Sequence, residues 1–167
     1  AIVGCLESGA ILNIGESSLT TGKHGKPLRY MLENKHKIIH PTLDRSKTIE
    51  LLSQMEILVH PSLSDTWPGL VIESVYAGTP VVTTNAVMWT RWLKDWAKEL
   101  CVISSHTSTR EIANKVKLLI NNEKLRSTLL EEQLSCLNRI QPMFASITKR
   151  VLLHDADIDP ECELQNI

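Results

Sequence analysis

Three observations predict an α/β fold with a parallel sheet and helices on both faces for this chain of 167 residues. Short apolar runs alternate with longer amphipathic ones. The short runs are apolar or β-branched, as strands buried on both faces are. The longer runs have about the 10–15 residues that suit crossover helices between parallel strands. At 18.8 kDa the chain fits one domain and can bury a core without disulfide staples. Hydrophobic residues at 43% and charged residues at 22% exclude collagen-like, low-complexity and disordered classes. A formal net charge of -1 gives no global field for nucleic acid or an anionic membrane, so either partner would need a local patch.

The elements follow in order. Ile11-Leu12-Asn13-Ile14, stopped by Gly15, reads as a buried strand, and a polar loop over residues 16–25 follows. Residues 28–33 have the pattern of a short helix. Lys37-Ile38-Ile39-His40 is a second strand, closed by Pro41. Residues 48–54 have helical spacing, with Ile49, Leu52 and Met55 on one side. Ile57-Leu58-Val59-His60 is a third strand, stopped by Pro61. Gly69 to Tyr76 reads as a helix capped by Gly78. Pro80-Val81-Val82-Thr83-Thr84 is a fourth strand and Cys101-Val102-Ile103 a fifth.

Between those last two strands, residues 88–100 are expected to form one helix. Trp89, Trp92 and Trp96 would lie on one face, for core packing or for another domain. Ser108 and Glu111 make a capping box for a helix through Leu119. A long helix over residues 123–140 and a last one opened by Pro142 follow. Residues 1–153 are expected to be one domain. The tail 154–167, with five acids and no Lys or Arg, is expected to be mobile.

No run of about 18 apolar residues exists, so no transmembrane helix is predicted. The N-terminus lacks the pattern of a signal peptide. It also lacks an initiator Met, as a fragment or a processed chain would. Cys5, Cys101, Cys136 and Cys162 are scattered without a C-x-x-C pair, which fits reduced thiols of a cytosolic protein and no metal site. His24, His36 and His40 lack metal spacing, and no Walker A or G-x-G-x-x-G motif is present. Between residues 23 and 47 seven basic residues face two acids. This is a solvated face or an attractor for a nucleotide phosphate, a phospholipid or another domain, with Lys23 the best single phosphate contact.

The stretch Pro61-Ser62-Leu63-Ser64-Asp65-Thr66-Trp67-Pro68-Gly69-Leu70-Val71-Ile72-Glu73 carries the most information. It leaves the C-terminal end of a strand and enters a helix, the edge where open α/β sheets bind ligands. A helix N-terminus near Gly69 suits an anion such as a phosphate, and Pro68 and Gly69 suit a tight entry that a ligand can approach. Asp65 and Glu73 are placed to accept hydrogen bonds from a sugar diol. On the residues alone, a cap at Asp65 and a solvated Glu73 remain the other reading.

Continued through Ser74-Val75-Tyr76-Ala77-Gly78-Thr79-Pro80-Val81-Val82, this stretch resembles the donor-nucleotide motif of retaining GT-B glycosyltransferases of the glycosyl transferases group 1 type. That pattern is Pro-Ser, a spacer, an acid, seven residues, Glu, and a small-residue helix ending in Gly-Thr-Pro-Val-Val. The likeness runs from about Ile11 to Ile140 and is specific over His60 to Val82. The resemblance implies a Rossmann-like domain, one half of a GT-B fold, that binds a nucleoside diphosphate sugar. By it, Glu73 would hold the ribose hydroxyls and Asp65 would face the donor sugar as the catalytic acid position. The amides near Pro68, Gly69 and Leu70 would meet the sugar and diphosphate, with no metal or further cofactor.

The resemblance also implies that a saccharide or lipid acceptor binds on another, N-terminal domain, and that the chain begins after the family's diphosphate-binding basic residues. The implied location is the cytoplasm, with peripheral association at the inner face of a membrane as an extension. Asp65 stands where the family has Glu, one methylene longer, and Asn85-Ala86 stands where it has Gly-Gly. A non-catalytic nucleotide-binding domain and a GT-B-shaped sugar-nucleotide epimerase are the alternatives.

Overall fold

The computed structural model describes residues 12–15, 37–40, 42–64 and 67–152. The expected helix over 28–33, Lys23, Asp65 and the acidic tail lie outside them. Strands β1 (Leu12–Gly15) and β2 (Lys37–His40) pair in parallel, Leu12 opposite Lys37. Helix α1 (Arg45–Ser53) leads to β3 (Leu58–His60), and α2 (Gly69–Tyr76) leads to β4 (Val81–Thr84). A 3₁₀ helix (Met88–Trp92), α3 (Asp95–Cys101), β5 (Val102–Ile103), α4 (Thr109–Ile120) and α5 (Glu123–Leu152) complete the order.

The second sheet runs β3-β4-β5, all parallel, with Leu58 opposite Val81 and Thr83 opposite Val102. Every residue of central β4 is buried, so its run of Val and Thr is covered on both faces, as its composition implied. Pro80 has no N–H to give, and it enters the ladder only as an acceptor, from the Leu58 amide at 3.0 Å. The expected Rossmann-like α/β architecture is the one observed.

Because β5 is two residues long and pairs only with Thr83 and Thr84, β4 has no strand neighbour on its β5 side at Val81. Gln133 of α5 fills that gap. Its Nε2 donates to Val81 O at 2.8 Å, and its Oε1 accepts from Val81 N at 3.0 Å. Gln133 is fully buried. Its side-chain amide stands in for a peptide unit and satisfies both groups that would otherwise be orphaned.

Helix α2 ends at Gly78 as expected. Gly78 has φ 96°, and a Cβ there would meet no atom within 4 Å, so backbone conformation alone calls for glycine. Thr79 N donates to Ser74 O at 2.9 Å and Gly78 N to Val75 O at 3.1 Å, which is a Schellman cap.

Three expectations need correction. The single helix over 88–100 is broken, because Leu93 and Lys94 are extended. Lys94 gives its amide and its ammonium to the buried Glu132 carboxylate, at 3.3 and 2.8 Å. The break separates the tryptophans: Trp89 is fully buried, Trp92 half-buried and Trp96 exposed. Pro142 opens no new helix and lies inside α5. It sits on an exposed position, where water can meet the carbonyl its missing N–H leaves unpaired. The capping box is half formed. Ser108 Oγ accepts from Glu111 N at 3.3 Å, but the Glu111 carboxylate turns to Ser104, taking its amide at 2.9 Å and its hydroxyl at 2.7 Å.

Candidate functional site

The C-terminal edge of the β3-β4 pair carries the Pro61-Ser62 turn, and β4 holds that turn down. Thr83 Oγ1 donates to His60 O at 2.6 Å, and Thr84 Oγ1 donates to Ser62 O. Ser62 N in turn donates to His60 O at 2.9 Å. The two threonines read in the sequence only as strand formers. Their hydroxyls fix the start of the loop that leads to α2.

Pro68 is the N-cap of α2, with φ -69° and ψ 120°. Its carbonyl accepts from Val71 N at 3.2 Å and from Ile72 N at 3.3 Å. Gly69 and Leu70 then have the leading amides of the helix, with no acceptor inside it. Gly69 is exposed, and a Cβ on it would meet no atom within 4 Å. Neither packing nor a left-handed backbone requires glycine here. An open approach to the backbone is what its missing side chain supplies.

Glu73 lies four residues after Gly69 and so on the same face of α2. Its carboxylate is 24% exposed and 2.8 Å from Nε of Arg45, whose side chain is 79% exposed. Arg45 is the first residue of α1, behind an Asp44 N-cap that accepts from Lys47 N at 2.9 Å. In the sequence Arg45 is one charge of a basic stretch. Nothing in the linear spacing pairs it with Glu73. Pro68, Gly69, Leu70 and Glu73 come together as expected on one helix start, while Lys23 and Asp65 lie outside the described residues. Among the described residues no three His, Cys, Asp or Glu side chains gather to hold a metal ion.

Residues 15–133 match the family model "Glycosyl transferases group 1". The chain belongs to the glycosyl transferases group 1 family. Its general chemistry is therefore that of glycosyl transfer. A solved structure shares its fold: the C-terminal domain of a glycosyl transferase group 1 family protein (LpcC) from Francisella tularensis. The two superpose with a TM-score of 0.61 at 17% identity, over 77% of this chain and 84% of that one. No curated protein matches the chain. Among the described residues no helix is long and apolar enough to cross a membrane.

Proposed function

We propose that this domain binds the nucleoside diphosphate sugar donor of a retaining glycosyl transfer at the N-terminus of α2. Glu73 accepts the two ribose hydroxyls, a charge-assisted pair that a carboxylate is built to make. Arg45 holds the carboxylate in one orientation from behind. The amides of Gly69 and Leu70 and the positive end of α2 face the diphosphate, with Lys23 as a further phosphate contact. Asp65 faces the donor sugar. In the transfer, the bond from the anomeric carbon to the diphosphate oxygen breaks, and a bond to an acceptor hydroxyl oxygen forms with the same stereochemistry. The acceptor hydroxyl proton is released, and the helix amides stabilise the charge left on the diphosphate. The acceptor, a saccharide or a lipid, is presented by a second domain.

The observation that carries this reading is the Glu73 carboxylate held on the Gly69 face of α2 by Arg45 at 2.8 Å. Calorimetric titration with a panel of nucleoside diphosphates tests it. Glu73→Gln keeps the shape and removes the charge. It should weaken binding about tenfold or more, as follows from roughly 1.5–3 kcal/mol for a hydrogen bond to a charged group. Asp65→Asn should bind the free diphosphate as the natural chain does and lose affinity only for the sugar-bearing donor. Equal affinity of Glu73→Gln and the natural chain for a bound diphosphate would contradict the assignment.

A further inference from the structure

We infer that Phe144 is a positioning residue for the donor loop, acting through Trp67; the inference rests on the nucleotide site proposed above. Phe144 is the chain's single phenylalanine and lies beyond Pro142 in α5. Its ring centroid is 4.7 Å from that of Trp67, tilted by 51°, and 5.8 Å from that of Trp92, edge-on at 85°. Both arrangements fall in the favourable range for aromatic pairs. All three rings are half-buried against the core. Trp67 directly precedes Pro68, so the ring pair holds the last loop residue before the leading amides of α2.

The other end of α2 is held by the same helix. Tyr76 Oη lies 2.9 Å from Asn138 Oδ1 and 2.8 Å from Gln141 Oε1. Helix α5 thus meets the last residue of α2 through Asn138 and Gln141, and the residue before its N-cap through Phe144. On its sheet side the donor loop is tied by Thr83 and Thr84, and Phe144 supplies the tie on its helix side. A ligand that meets Trp67 and Pro68 already in place avoids the ordering cost that a loose segment imposes on binding.

Calorimetry with nucleoside diphosphates on the 167-residue chain tests this, with Phe144→Ala, Phe144→Trp, Leu130→Ala and Glu73→Gln side by side. Leu130 also packs on the core from α5, but it lines the groove beside Gly78 and Pro80, away from the loop. Phe144→Ala should bind up to about tenfold more weakly, the ceiling set by losing the aromatic pair with Trp67. Phe144→Trp should restore affinity to within about threefold. Leu130→Ala should melt at lower temperature yet bind unchanged. Fluorophenylalanine labels position 144 alone, and its single resonance should shift when diphosphate is added to the natural chain. If Phe144→Ala binds as the natural chain does while Glu73→Gln does not, the inference is overturned and the site reading stands. Equal losses in Leu130→Ala and Phe144→Ala overturn it as well. No binding by the natural chain overturns the site reading, and the inference with it.

Discussion

Arg45 Nε stands 2.8 Å from a carboxylate oxygen of Glu73 and so joins the first residue of α1 to the helix that follows the Pro61-Ser62 loop. The pair is lopsided, with the guanidinium mostly in solvent and the carboxylate mostly covered. An exposed partner of this kind contributes little to stability, of the order of 0–1 kcal/mol. Its effect is to bias Glu73 toward the orientation that faces Arg45.

Arg45→Met should therefore leave the melting temperature nearly unchanged. It should weaken nucleoside diphosphate binding about threefold, because Glu73 must then lose rotamer freedom when the ligand arrives. Thermal melts and calorimetry on the same sample separate the two effects. A large fall in melting temperature would show the pair to be structural.

Gly69→Ala separates binding from folding in the opposite sense. The new methyl meets no protein atom within 4 Å, and alanine is the better helix former by up to about 1 kcal/mol. Urea denaturation should show equal or higher stability. Diphosphate affinity should fall, because the methyl occupies the approach to the leading amides. Unchanged affinity would mean that nothing comes close to Gly69.

Gln133→Leu should be among the most destabilising single changes in the chain. It leaves Val81 N and Val81 O buried without partners, at roughly 1–3 kcal/mol for each unsatisfied group. Urea denaturation with an unchanged slope is the expected result. A loss below about 1 kcal/mol would mean that another group reaches Val81.

Glu111 makes stability depend on pH on the acid side. Burial pushes its carboxyl upward, but the hydrogen bonds from Ser104 and the charge of Lys115 outweigh this and hold it below its ordinary value of 4.5. A depressed carboxyl contributes stability that is fully present above the unfolded value and lost as pH falls through the folded one. The stability gap between the natural chain and Glu111→Gln should then be largest near neutral pH and shrink as the pH drops below 4.5. On the alkaline side, burial raises the Cys101 thiol from 9.0 to about 12. That contribution is present below pH 9.0 and lost as pH rises toward 12. Denaturation series at fixed pH values check both signs.

Local patterns in the sequence marked the elements well where one rule dominated. Gly69–Tyr76 with Gly78 behind it was legible because Pro-Gly entry and a glycine exit are local devices. That β3 and β4 run parallel in one sheet followed from strand-helix alternation. The break in the helix expected over 88–100 has no local signal, because it depends on Lys94 meeting Glu132, 38 residues away. Pro142 differs from expectation for a related reason: packing of Met143 and Phe144 on the core carries α5 past a residue that locally disfavours it. At the candidate site, the shared helix start of Pro68, Gly69, Leu70 and Glu73 was legible in the sequence. Arg45, the threonine hydroxyls and the Gln133 amide were not, because each acts on a partner brought near only by folding.

The central claim is that Glu73 holds a ribose. It is tested most directly by titrating the natural chain and Glu73→Gln with the tightest-binding nucleoside diphosphate and with its 2′-deoxy form. In the natural chain, removing one ribose hydroxyl should cost about tenfold in affinity, as one charge-assisted hydrogen bond does. In Glu73→Gln that penalty should shrink to near onefold, because the two groups are each other's partners. The same penalty in both proteins would contradict the claim, by showing that the hydroxyl is bound elsewhere than at Glu73.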